Sequence, residues 1–186
     1  MYYLHRIRNI CHADLKPQNV LVDDKGTGRV SDFGTSKIVD LPTEGSTGYR
    51  PGTALYMPPE RLSGGGATKE GDVYAFAITA FRIWTERLPF EESGLTDIAL
   101  YRTIVDDDNR PTILEYDGMP KELQQLIEGS WDKTPHMRPS FESIAKRLKA
   151  MSVASACIVK KERRIERYRS KEMTFEINLI NFKRYY

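Results

Sequence analysis

Apolar residues come in short runs near the start of the chain and at helical spacing later. In VLVDDKGTGRVSDFG, residues 20–34, two brief apolar stretches flank DDKGTG, whose glycines and aspartates carry turn chemistry. That pattern predicts two short strands joined as a hairpin. Residues 35–59 form a long aperiodic segment rich in Gly, Pro, Ser and Thr, and a loop of that length inside a domain is functional or mobile. SGGGATKEGD then reads as a flexible loop insertion. Beyond it Ala75, Ile78, Ala80, Phe81 and Trp84 recur at three- and four-residue steps, with apolar neighbours around most of the circumference. The spacing predicts a central buried helix, stopped by Pro89. TDIALYRTIV, KELQQLIEGSW and SFESIAKRLKAM predict three further helices, the last with Ser140 as its N-cap.

Composition narrows the class. With 186 residues, 40% hydrophobic and 29% charged, the chain can bury one sizeable core, and wholesale disorder is excluded. A net charge of +2 argues against a dedicated nucleic-acid binder. Cys11 and Cys157 have no metal-type spacing, which fits a reducing, cytoplasmic setting better than a disulfide scaffold. VYAFAITAFRIW is too short to span a bilayer and carries Arg82, and MYYLHRIRNI has no signal-peptide pattern. From residue 152 onward the character changes. KKERRIERYRSK is strongly basic, and the segment after Val159 carries roughly +5 net charge. It reads as a solvated helical extension or as an arm for acidic partners, an anionic membrane surface or RNA.

Three signals stand in order along the chain: HADLKPQN from His12, DFG from Asp32, and GTALYMPPE from Gly52. A lone DFG is nearly worthless, but the ordered set at these gaps is specific. It resembles the eukaryotic protein kinase family, whose motifs read H-R-D-L-K-P-x-N, D-F-G and A-P-E. GDVYAF, LPF and WDKTPHMRPSF extend the resemblance over residues 1–151. The fold it implies is mainly α: a kinase-like C-terminal lobe with a small β hairpin at the catalytic loop, then a basic extension over 152–186.

The function implied is transfer of the γ-phosphate of ATP to Ser or Thr hydroxyls of protein substrates. Phosphoryl transfer needs alignment and charge neutralisation more than covalent chemistry. The resemblance makes Asp14 the base that orients the hydroxyl and Lys16 the phosphate stabiliser. Asn19 and Asp32 become the oxygen ligands of Mg²⁺, and Leu21 the floor of the adenine pocket. His12 is implied to pack against Phe33 rather than act as a base, Asp72 to cap the loop backbone, and Glu60 with Arg138 to form a buried ion pair. Lys16 together with Gly52 and Thr53 fits serine/threonine specificity, the Thr53 hydroxyl bridging Asp14 and Lys16. GTALYMPPE and MRPSF are similar to the tyrosine-kinase-like branch of such enzymes.

Two departures stand out. Ala13 replaces the family's arginine, so a phosphate on Thr43, Ser46, Thr47 or Tyr49 would lack its usual partner, and activation by that route is not expected. Pro58 replaces the alanine of A-P-E, a milder change. No glycine-rich loop, strand lysine or partner glutamate is found in these residues. The expectation is therefore a chain lacking the small lobe, with weak nucleotide affinity and an exposed apolar patch at Leu21 and Phe33. The competing reading is a catalytically silent kinase remnant that serves as a protein-binding module.

Overall fold

Thr68 starts the element on which the rest packs. Its side chain accepts a hydrogen bond from the Gly71 N–H (2.9 Å), so it caps helix α3, Lys69–Thr85, as a β-region threonine does for the orphan donors of a first turn. In this computed structural model the described residues are 1–39, 54–91 and 96–152, without the side chains of Asp97 and Tyr116. Asp72, Val73, Tyr74, Ala75, Ala77, Ile78 and Phe81 of α3 are all buried, as the all-round apolar pattern requires. The helix ends earlier than Pro89 dictates. Glu86 takes a left-handed conformation (φ 58°) and its N–H bonds the Arg82 carbonyl, an αL terminus made without glycine. Pro89 only bars a restart.

The chain divides into two compact units, Met1–Ala145 and Lys146–Tyr186. In the first, α1 (Tyr2–Arg6) precedes strand β1 (Ile10–Cys11). Strands β2 (Val20–Val22) and β3 (Gly28–Val30) pair antiparallel with Leu21 opposite Arg29, the hairpin that the sequence predicts. A second ladder pairs β1 with β4 (Lys37–Ile38). Helix α2 (Pro59–Leu62) precedes α3, and α4 (Asp97–Tyr101) and α5 (Lys121–Ser130) follow it. Residues 141–152 form α6, with the Ser140 hydroxyl accepting the Ser143 N–H at 3.3 Å as its N-cap. The α4 segment runs into a π turn, Arg102–Asp106. Tyr74, Ala77, Ile78 and Phe81 of α3 meet Leu100, Ile104, Ile127 and Trp131 in the core.

SGGGATKEGD corrects the expectation of a flexible insertion. Gly64, at φ +95°, donates to the Arg61 carbonyl (3.0 Å), and Gly65 donates to the Glu60 carbonyl (2.9 Å). This pair of bonds is a Schellman cap that closes α2. A Cβ on Gly65 would lie 2.6 Å from the Glu60 oxygen, so the second glycine is required by close approach as well.

Arg138 and Glu60 lock this cap to the far end of the sequence. Nη1 meets Oε1 at 2.7 Å and Nη2 meets Oε2 at 2.9 Å, a bidentate fork. The same guanidinium donates to the Asp132 and Glu70 carbonyls and stacks over the Tyr74 ring at 5.2 Å. The Arg138 side chain is fully buried, while Glu60 is 26% exposed. Removing the arginine leaves a shielded carboxylate and two carbonyls without their donor. Arg138→Ala is expected to cost about 3–5 kcal/mol and to lower the thermal midpoint, followed by circular dichroism, by roughly 10 °C; an unchanged melt would rule out this role for the pair.

Candidate functional site

The loop after β1 is held from below by one carboxylate. Asp72, on the first turns of α3, accepts the His12 N–H (2.7 Å) on Oδ2 and the Ala13 N–H (2.8 Å) on Oδ1. His5 of α1 meets the same Oδ2 at 2.7 Å. Ala13 itself has φ 65°, a left-handed conformation that costs a residue with a Cβ and persists where its surroundings fix it. The expected role of Asp72 as a backbone cap is therefore seen in the geometry.

His12 is fully buried and both ring nitrogens are used. Nδ1 accepts the Asp14 N–H at 3.3 Å, so Nε2 carries the proton and donates to the Ser31 carbonyl at 2.9 Å; the tautomer follows from this network. The Phe33 ring stands edge-on to it, centroids 5.2 Å apart. His12 has no lone pair left for a reaction, which matches its reading as a packing residue.

These contacts draw the hairpin and the loop together. The Ser31 N–H donates to the Asn19 carbonyl at 2.9 Å, so Asp32 is flanked by Ser31 and Phe33, each fixed on the loop. Asp32 is exposed and left-handed (φ 61°), with Oδ1 accepting the Gly34 N–H at 3.3 Å. The Asn19 amide donates to the Asp14 carbonyl (2.7 Å) and to Asp14 Oδ2 (3.2 Å). Lys16 Nζ lies 2.8 Å from that same Oδ2. Asp14 Oδ1 is buried and has no hydrogen-bond partner among the described residues. One carboxylate, almost enclosed, thus has one oxygen satisfied by two donors and the other bare. A buried bare acceptor costs free energy unless something donates to it.

Leu21 is 58% exposed on β2 and Phe33 is 49% exposed, the open apolar patch that the sequence leads one to expect. The hairpin is held by backbone pairing and by an exposed Arg29–Asp23 ion pair (3.0 Å) across its turn. Gly52, Thr53 and the candidate phosphorylation positions Thr43, Ser46, Thr47 and Tyr49 lie outside the described residues, as does the basic tail beyond Ser152. Among the described residues no cluster of three or more His, Cys, Asp or Glu forms a metal cage, and no helix is long and apolar enough to cross a membrane.

Two neighbours of the loop escape sequence reasoning. His5 reaches Asp72 across 67 positions, and the Arg61 guanidinium donates to the Ala13 carbonyl across 48. Nothing local in the sequence pairs either residue with its partner.

Comparison with known proteins follows the same line. A family model described as "Protein kinase domain" matches residues 1–148. A probable LIM domain-containing serine/threonine-protein kinase of Dictyostelium discoideum is 38% identical over 152 residues, covering 82% of this chain and 22% of that protein. The dual specificity protein kinase shkB of that organism is 36% identical over 146 residues, 78% of this chain and 22% of its own length. Its probable serine/threonine-protein kinase gdt2 is 34% identical over 152 residues, 79% of this chain and 9% of its own length. The chain therefore spans less than a quarter of the length of these relatives.

Cys11 sits in β1 at the entry to the loop, fully buried. Burial, with the negative charges of Asp72 and Glu70, pushes its thiol up to about 12, against the opposing pull of Lys69. The neutral thiol is thus the folded form, and its contribution to stability fades only as pH rises from 9.0, the ordinary thiol value, toward about 12. At pH 8, site-resolved alkylation of Cys11 by iodoacetamide is expected to run about a thousandfold slower in the native chain than in urea. Equal rates would contradict this burial.

Proposed function

Because the chain belongs to the protein kinase family, we propose that it is the large, C-terminal lobe of a protein serine/threonine kinase of the tyrosine-kinase-like branch, equipped to transfer the γ-phosphate of ATP to protein hydroxyls. The observation that carries this reading is the bare, buried Oδ1 of Asp14 beside Lys16. A substrate hydroxyl donating to that oxygen would satisfy it and be oriented by it, as a hydroxyl nucleophile must be. Lys16, on the other oxygen at 2.8 Å, offers its charge to the transferring phosphate.

The donor set suits magnesium. Hard oxygen ligands, one or two carboxylates and no complete protein cage are what that ion takes when phosphates and water supply the remainder. Asp32 supplies an exposed carboxylate, and Asn19, whose amide nitrogen is engaged by Asp14, supplies its carbonyl oxygen. A magnesium ion bound there would neutralise charge on the phosphate oxygens. Leu21 offers an exposed apolar contact to the adenine face. Serine/threonine choice rests on Lys16 and on relatives named as serine/threonine kinases, although shkB is named as dual specificity. Protein substrates are the proposed partners, and a cytoplasmic location fits the cysteine usage.

A binding-module reading draws on a different observation, the exposed Leu21, Val22, Phe33 and Ile38, which a partner protein could cover. Because a large lobe is expected to hold ATP weakly by itself, the purified full chain is given saturating radiolabelled ATP, Mg²⁺ and a casein mixture, and is expected to label serine and threonine slowly. Asp14→Asn is expected to reduce that rate by about a hundredfold or more while melting within a few degrees of the parent. Absence of transfer by the parent, or a fully active Asp14→Asn, would overturn the enzymatic reading, the former in favour of a binding module.

A further inference from the structure

Ala13 occupies the position where the family motif has arginine, and the side chain that reaches its carbonyl is an arginine from elsewhere. The Arg61 Nη1 group donates to the Ala13 carbonyl. On the other side of the same residue, the Ala13 N–H is held by Asp72 at 2.8 Å. A left-handed alanine, at φ 65°, is thus gripped at both its peptide groups, immediately before Asp14. Ala13, Asp14, Arg61 and Asp72 also line one cavity of about 20 Å³. Within it, the guanidinium is drawn by the charges of Asp72 and Asp14, though burial weighs more and pulls its pKa below the ordinary value.

We propose that Arg61 is a positioning residue: it fixes the Ala13–Asp14 peptide, and so the direction of the Asp14 carboxylate, as a permanent tether carried by α2. The argument is one of alternatives. Without the Arg61 donor, the Ala13 carbonyl would lose its partner at a half-sealed site, and the left-handed backbone would be fixed from one side only. A tether that is part of the polypeptide needs no phosphate to bring it into place. Arg61 also begins no new scaffold, because α2 is closed by the Gly64–Gly65 cap and locked through Glu60 to Arg138. The residue is therefore carried on a rigid element, which is what holding a reactive group in one direction requires.

The catalytic half of this inference rests on the kinase reading; the backbone half does not. The full chain is compared with Arg61→Met, which keeps length but no donor, and with Arg61→Lys, which keeps a donor and the charge. Amide hydrogen exchange at Ala13 and Asp14 is expected to quicken about tenfold in Arg61→Met, to return toward the parent rate in Arg61→Lys, and to stay unchanged at Leu126 and Ile127. Parent-like exchange at Ala13 and Asp14 in Arg61→Met, or equal acceleration throughout the chain, would overturn the tether. With ATP, Mg²⁺ and casein, Arg61→Met is expected to lower kcat about tenfold with KM for ATP within twofold, Arg61→Lys restoring most of it. An unaltered kcat overturns the positioning role. A parent that transfers no phosphate, with the exchange pattern as expected, sinks the kinase reading and upholds the tether.

Discussion

One carboxylate sets the shape of the site. Asp72 is buried on α3, and its two oxygens take the amide protons of His12 and Ala13 together with the ring of His5. A carboxylate removed from water is costly unless it is hydrogen-bonded, and the loop meets that need with its own backbone. Loop and helix thus satisfy each other. The left-handed Ala13 is a product of this bargain: its N–H can reach Asp72 in that conformation, and Arg61 takes the carbonyl on the other side.

From that point the order of the site passes outward through short links. His12 donates through Nε2 to the Ser31 carbonyl and packs against the Phe33 ring, tying the turn that carries Asp32 to the loop. Asn19 ties Asp14 on one side and receives Ser31 on the other. Asp14 and Lys16 sit at the end of this chain of contacts. Asp14 Oδ2 is taken by Lys16 and Asn19, and Asp14 Oδ1 is left bare. The apolar core formed by α3 with Ile104, Ile127 and Trp131 supplies the rigidity, and Arg138 fastens α2 to the same helix.

How much of this was legible in the sequence depended on how local its cause was. The hairpin at 20–30, the central helix and the Ser140 cap announce themselves through turn residues and apolar spacing within a few positions. The β1–β4 ladder has two residues a side and joins segments about 27 apart, too short for any periodicity to register. Apolar spacing carries α3 on to Pro89, whereas the helix ends at Thr85 because Glu86 adopts the left-handed conformation without being glycine. The glycine run after α2 looked like slack chain, yet two backbone bonds and a close approach to Glu60 fix it. Asp14, Lys16, Asn19 and Asp32 could be named from spacing and family resemblance. The His12 tautomer, set by Ser31, and the contacts of His5 with Asp72 and of Arg61 with Ala13, 67 and 48 positions apart, could not. For Leu21 both the strand pairing and the exposure follow from local pattern and resemblance.

The central claim is that Asp72 holds the loop through the His12 and Ala13 amides. Hydrogen exchange of those two amides in an Asp72→Ala chain, measured beside the parent, tests it most directly. The account predicts that both lose protection by about a hundredfold or more, and by a larger factor than Leu126 and Ile127 in α5. Protection at His12 and Ala13 equal to that of the parent would contradict it.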